Sequence, residues 1–394
     1  MAQYLIRKAG RFAVIVGGGI VAALSIWVAT NVFDVALPGV DTSPIEVRLI
    51  VASAARDWVS EAADRFNAEG RRLGRRPITV SVIEQDGLSV YNQLNSTGLN
   101  PAPTAWIAEG TFMLDLVNLA GRQASGSDVF AAEGSLAQSP LVWGGFADRV
   151  ATVDARFGGL TWSALREASV AAQGWPSLGG RPEWGFFKLA LPDPRKSSEG
   201  LAALLAAAAE FHGRPDLSAA DLNDARFQAW GQALIDAVPN FANLGSEPGN
   251  ALAVLGPSAG DVGLLLESDW LSAAEGLSKW QPPVLRYGPS TVTFDFPLGL
   301  WAGRPGANAP ADDASDQAAA RLFRDYLLDG AQQRRAETFG LRPASGSAAN
   351  ADGSLFARWS SLGVQAALPT HSTVRVGGDA LLAALRWVER AAGQ

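Results

Sequence analysis

Apolar and polar positions recur along this chain with two periods, and each switch of period marks an element. Glu46–Ala52 (EVRLIVA) reads as a strand, and Arg56–Glu69 then carries Trp58, Val59, Ala62, Ala63 and Phe66 as a helical stripe. Ile78–Ile83 (ITVSVI) alternates as a second strand and leads through Glu84–Gly87 into a helix ending near Leu94. Thr104–Ala108 reads as a third strand, before Glu109, Gly110 and Thr111 open another helix, and Leu141–Trp143 as a fourth. This rhythm predicts α/β architecture with a parallel sheet covered on both faces.

A second unit begins near Leu160 with a helix over Thr161–Ala172. Its centre is Trp184–Ala209. Phe186–Leu191 reads as a short buried strand, stopped by Pro192, Asp193 and Pro194. Ser197 or Ser198 then caps an Ala/Leu-rich helix with Glu199 in its first turn. Further on, Asp261–Glu267 reads as a strand delivering Glu267, Ser268 and Asp269 into a loop. Thr291–Ala302 is extended, and helices follow over Ala314–Leu328, Gln332–Phe339 and Asp379–Ala391.

In open α/β sheets ligands bind outside the carboxyl ends of the strands, beside helix N-termini with free N–H groups. Those places hold Ser53, Asp86, Glu109, Thr111, Ser197, Ser198 and Glu267, the candidate ligand-binding residues. Each alone reads equally well as a cap or a solvated loop residue. Lys188 reads as either a cleft residue or a snorkelling edge residue. Trp106, Trp143, Trp184 and Trp270 lie near strand ends, where some could line a cleft.

Composition narrows the chemistry. A net charge of −7 argues against a nucleic-acid partner. The chain has no cysteine and only His212 and His371, so disulfides, thiolate metal sites and His-based triads have little to build from. No nucleophile elbow or phosphate loop occurs, so no catalytic residue, cofactor or metal is assigned. Glu109 and Glu267 are the one carboxylate pair a glycosidase reading could use.

Arg7, Lys8 and Arg11 precede a run without charge from Phe12 to Phe33, 22 residues. As a helix that run would span about 33 Å, enough to cross a bilayer. Sites for signal cleavage near Ala29 and Ala36 are poor, since Trp27 and Asp34 stand where small residues are needed. The expectation is an uncleaved anchor over 1–36 and a linker over 37–45, with the rest outside the cytoplasm.

The order of motifs resembles the type 2 extracytoplasmic solute-binding proteins of bacterial ABC transporters, in the branch related to phosphate and molybdate binders. The matching stretches are VRLIVASAARDWVSEAADRFN, PTAWIAEGTFML, LALPDPRKSSEG with its P-x-x-S-x-x-G from Pro194 to Gly200, GDVGLLLESDWL and AARLFRDYLLDGAQQRRAETFGLRP. The resemblance implies two α/β lobes, 46–150 plus 290–394 and 151–289, with a small ligand between them. It implies contacts from Ser53, Thr111 and Ser197, and an acidic position at Glu267. Glu109 and Glu267 fit a plain oxyanion site poorly, which leaves the ligand's charge open. The function expected is a membrane-anchored receptor handing a small solute, an anion among the candidates, to an ABC permease. The alternatives are a sensor or accessory subunit of another membrane protein, and an extracytoplasmic hydrolase.

Overall fold

Two sheets take up the alternating segments, in a computed structural model that describes residues 41–303, 313–348 and 353–391. The strands that form the main paths of these sheets are β1 (Ile45–Val51), β2 (Arg72–Leu73), β3 (Arg76–Glu84), β4 (Ala105–Ile107), β5 (Phe130–Ser135), β6 (Ala137–Phe146), β7 (Leu189–Ala190), β8 (Val262–Leu266), β9 (Pro283–Arg286) and β10 (Pro297–Trp301). The helices that matter for the site are α1 (Arg56–Ala68), α2 (Gly87–Ser96), α3 (Thr111–Ser125), α4 (Ser198–His212), α5 (Glu267–Leu277), α6 (Asp313–Leu327) and α7 (Gly378–Ala391).

The first sheet has the order β2-β3-β1-β4-β10-β5. β1 is parallel to β3 and to β4, whereas β10 runs antiparallel to β4 and β5. The sheet is therefore mixed, not wholly parallel. The strand β5 (FAAEGS) went unpredicted because it has no clear alternation and a largely exposed face. Val47, Leu49 and Val51 share one face of β1 and are fully buried, whereas on the other face Glu46 is exposed, Arg48 half-buried and only Ile50 buried. α1 and α6 pack on this sheet.

The second sheet has the order β9-β6-β8-β7. β6 contains the predicted fourth strand, yet it pairs here, with β8 and β9. The chain crosses from the first sheet to the second at Leu136, between β5 and β6, and returns between β9 and β10. Arg342–Pro343 also pairs with β6, so part of the C-terminal region leans on the second sheet. Phe296, at the return crossing, holds φ at +40°, a conformation uncommon for a bulky residue.

α4 is buried all round from Ser198 to Ala209, which explains a sequence with no polar stripe. The strand before it is shorter than predicted. Only Leu189–Ala190 pairs, and Phe186 is exposed. Gly185 turns the backbone at φ +69°, and the Lys188 ammonium caps the carbonyls of Trp184 and Phe186. Glu267, Ser268 and Asp269 form the first turn of α5 instead of a loop. The proposed anchor, Phe12–Phe33, lies outside the described residues. Among the described residues no helix is long and apolar enough to cross a membrane.

Candidate functional site

A cavity of about 740 Å³ opens where the carboxyl ends of the strands of both sheets meet. Ser53 follows β1, Asp86 follows β3 and Glu109 follows β4 on one side. Asp193, Arg195, Lys196, Ser197 and Glu199 after β7 and Asp269 after β8 stand on the other. The stretch Val238–Glu247 and Phe294 complete the walls. The volume lies within the usual range for small-molecule sites.

Helix N-termini surround this cavity, and side chains of the protein already fill them. Asp86 caps α2, its Oδ1 accepting from Leu88 N–H at 2.8 Å, while Gly87 N–H donates to Glu109 Oε1 at 2.7 Å. At α4, Ser197 is the N-cap, its Oγ accepting from Gly200 N–H at 3.3 Å. Ser198 gives its N–H to Asp86 Oδ2 and its hydroxyl to Asp86 Oδ1, both at 2.9 Å. These two bonds tie the first sheet's loop to the helix of the second. At α3, Asp295 accepts from Thr111 N–H at 3.0 Å and from the Thr111 hydroxyl at 3.1 Å. At α5, Glu199 Oε1 accepts from Leu266 N–H at 2.7 Å. Four helix ends that could seat an anion thus each carry a carboxylate of the chain itself.

The electrostatics follow from burial. Burial, then the neighbouring Asp86 charge, pushes the Glu109 carboxyl well above the usual range. Burial also raises Asp86, against the hydrogen bonds from Ser198 and Leu88. Glu199 lies well above the usual range through burial and the Asp269 charge, and burial pushes Asp269 up to about 7. Glu199 and Asp269 hydrogen-bond each other, which requires a proton between them. Asp193 differs: burial opposes its ionisation, but Arg195, bonded through Nε and NH2 at 2.8 Å, outweighs it and holds the carboxyl low. Glu247 meets Arg56 across the cleft mouth at 3.4 Å.

Of the residues predicted from sequence, Ser53, Asp86, Glu109 and Ser197 line the cavity together. Ser198 is buried behind Asp86, and Thr111 is engaged by Asp295. Glu267 does not reach the cavity. It is fully buried against Arg342, with Nε···Oε2 at 2.6 Å and NH2···Oε1 at 2.7 Å, and accepts from the Tyr287 hydroxyl. It therefore stands too deep to pair with Glu109 over a bound sugar. Lys188 sits against buried Asp261 at 3.3 Å, and none of Trp106, Trp143, Trp184 and Trp270 is in the described lining. Sequence reasoning passed over Asp193, Glu199, Glu247 and Asp269. Glu199 looked like an ordinary first-turn acid, and nothing local points from it to Asp269.

Two mixed lobes around a polar cavity define a binder of small solutes. The sequence profile of the bacterial extracellular solute-binding proteins matches residues 47–342, and the chain belongs to that family. Membership places its working surface outside the cytoplasm. A comparison with curated proteins finds no match. Among solved structures, the chain is similar to the periplasmic binding protein AfuA from Actinobacillus pleuropneumoniae, solved with fructose-6-phosphate. They share 13% identity over 90% of this chain and 97% of that one, with a TM-score of 0.51. Iron-bound HitA from Pseudomonas aeruginosa is similar at 13% identity, 88% and 99% coverage and a TM-score of 0.54. Thiaminase I from Bacillus thiaminolyticus is similar at 10% identity, 88% and 99% coverage and a TM-score of 0.50. At such identities the likeness shows the type 2 periplasmic-binding fold alone.

Proposed function

We propose that this protein is a receptor that captures a small solute in the cavity between its lobes and delivers it to an ABC-type importer. The observation that carries the reading is the cavity itself: about 740 Å³, walled by strand ends of both sheets and bridged by the Asp86–Ser198 bonds. We take the lobes to change over at Leu136 and Phe296, where the chain leaves one sheet for the other, with Arg342–Pro343 leaning on the second. Ligand contacts are assigned to Ser53, Asp86, Glu109 and Ser197, with Glu199 and Asp269 added. The phosphate or molybdate assignment has less support, because the helix ends that would hold an oxyanion carry carboxylates.

The uncharged run Phe12–Phe33 supports a membrane anchor and, with it, a second reading as a sensor or accessory subunit acting beside another membrane protein. Among the described residues lining the cavity, no hydroxyl is hydrogen-bonded to a base, so the hydrolase reading has less support.

The test uses the absence of native cysteine. Cysteines introduced as Ile83→Cys and Val170→Cys, both exposed in the native chain, would carry one label on each lobe. Binding of a solute is expected to shorten the distance between labels, as lobe closure requires. An unchanged distance at a saturating concentration of a bound solute overturns the receptor mechanism.

A further inference from the structure

The charge of the cavity lining is lopsided. Six carboxyl residues line it, Asp86, Glu109, Asp193, Glu199, Glu247 and Asp269, against Arg195 and Lys196 alone. Both basic residues flank Asp193 and act on it, and Glu247 meets Arg56. Asp86, Glu109, Glu199 and Asp269 then have no ion-pair partner among the described residues. A second observation is independent of that census. Glu109 is 3% exposed and lines the cavity, and its Oε2 has no hydrogen-bond partner among the described residues. The Ser198 hydroxyl favours the ionised Glu109 carboxyl from nearby, but it donates to Asp86 and makes no hydrogen bond of good geometry to Oε2. A buried carboxylate oxygen left bare costs about 1–3 kcal/mol or more, so a donor arriving there recovers a real penalty.

An anion gains little in this cavity. Burial keeps protons on these acids in the empty cavity, and any of them that ionises would repel an anion, and attract a cation, by roughly 4 kcal/mol at about 4 Å and an effective dielectric of 20. An inorganic cation is poorly matched too, since no group of three or more His, Cys, Asp or Glu side chains among the described residues converges as metal ligands. Phe241 and Phe294 add aromatic carbon to the lining, and the Phe241 ring already lies 5.7 Å from the Arg195 guanidinium, a contact of the kind an organic cation makes.

We propose that the solute is an organic cation with N–H donors, an amine or guanidine, whose charged head is held by Glu109 from one lobe and by the Glu199–Asp269 pair from the other. The proposal rests on the receptor reading above and specifies its ligand class. Glu109 Oε2 supplies an acceptor that has no hydrogen-bond partner among the described residues. Asp269, pushed up to about 7 by burial, sits on the edge of ionisation near neutral pH, where a cation's charge favours the ionised form. The donors of an ammonium or guanidinium group match carboxylate acceptors and bring a positive charge, which a sugar's neutral hydroxyls lack and an oxyanion's charge opposes.

The test titrates the full chain by calorimetry with spermidine, agmatine and L-arginine, and in parallel with inorganic phosphate, molybdate and maltose. At least one of the three cations is expected to bind. Glu109→Gln is expected to weaken it about tenfold to a hundredfold, the worth of a charge-assisted hydrogen bond. The same variant should keep its circular dichroism and melt no lower than the parent, since it removes a buried carboxyl without a counter-charge. Asp269→Asn, at the opposite wall, should weaken the same cation as well. Binding of phosphate, molybdate or maltose with no cation bound overturns the cation proposal and leaves the receptor reading standing. Cation binding indifferent to both variants overturns the seat proposed here. No binding by any of the three classes counts against the receptor reading as well.

Discussion

Replacing Glu267 by Gln separates a residue of the framework from one of the ligand site. Glu267 and Arg342 have fully buried side chains, and the pair makes two charge-assisted bonds at 2.6 and 2.7 Å. The remaining donors of Arg342 reach Ala366 O at 2.7 Å and Gln365 O at 2.6 Å, so one guanidinium ties α5 to the C-terminal segment. Phe356 lies 4.8 Å from the guanidinium and closes the pocket. Glu267→Gln keeps the shape but leaves Arg342 as a buried charge with no counter-ion. Breaking such a pair from one side costs about 3–5 kcal/mol, against a total stability of roughly 5–15 kcal/mol for a typical domain. Urea unfolding of the full chain should show that loss as a lower midpoint. Arg342→Met alone should cost a similar amount, because it strands Glu267 and two carbonyls. The double variant should cost less than the sum, because no lone charge remains. Affinity for the bound cation should stay within about twofold in the folded variants, since Glu267 is outside the cavity. A Glu267→Gln protein of native stability and weakened affinity would refute this reasoning and return Glu267 to the ligand site.

Two further outcomes follow from the same packing and charge arguments. Gly200→Ala should destabilise by about 1–3 kcal/mol or more, read by thermal melting, because a Cβ there would overlap the Pro192 carbonyl and come within 3.0 Å of Pro194 N; a neutral effect would show that the β7–α4 turn can move freely. Stability of the solute-free chain should fall as pH rises from about 4 to about 7, measured by urea midpoints. Asp86, Glu109, Glu199 and Asp269 keep protons in the folded state that the unfolded chain has lost in that window, with Glu247 beside Asp269 adding to the effect. Below about 4 the sign reverses, because Asp193 and Asp221 are held low in the folded state and must be protonated on acidification. Stability rising steadily from pH 4 to 7 would contradict the buried acid cluster.

The legible parts of this protein were the local ones. Alternation at Ile78–Ile83 and the stripe from Trp58 to Phe66 became β3 and α1, because one buried face is enough to set each period. A serine cap at Ser197 or Ser198 was legible because a cap is a matter of four consecutive residues, and the fold chooses Ser197. β5 was not legible, since FAAEGS owes its place to pairing with β10, its partners lying from 162 (Ser135 to Pro297) to 171 (Phe130 to Trp301) positions along the chain. The pairing of β6 outside the first sheet was equally hidden. Its apolar run fits either sheet, and only its register with β8 and β9 decides.

The same distinction explains why the ligand's charge was read as open. From sequence, each helix start beside a strand end looks like an empty anion seat, because its free N–H groups are a local property. What fills the seat is not local. Ser198 N–H is taken by Asp86, 112 positions away, Thr111 by Asp295, 184 away, and Leu266 by Glu199, 67 away. A serine in P-x-x-S-x-x-G therefore reports the turn and the cap, whereas the sign of the field in the cavity is set by acids brought in by the fold. Glu109 shows where that logic points. Of its two carboxylate oxygens one is satisfied by Gly87 and the other by nothing in the described chain. On the cation proposal, the donor and the complementary charge both come from the solute.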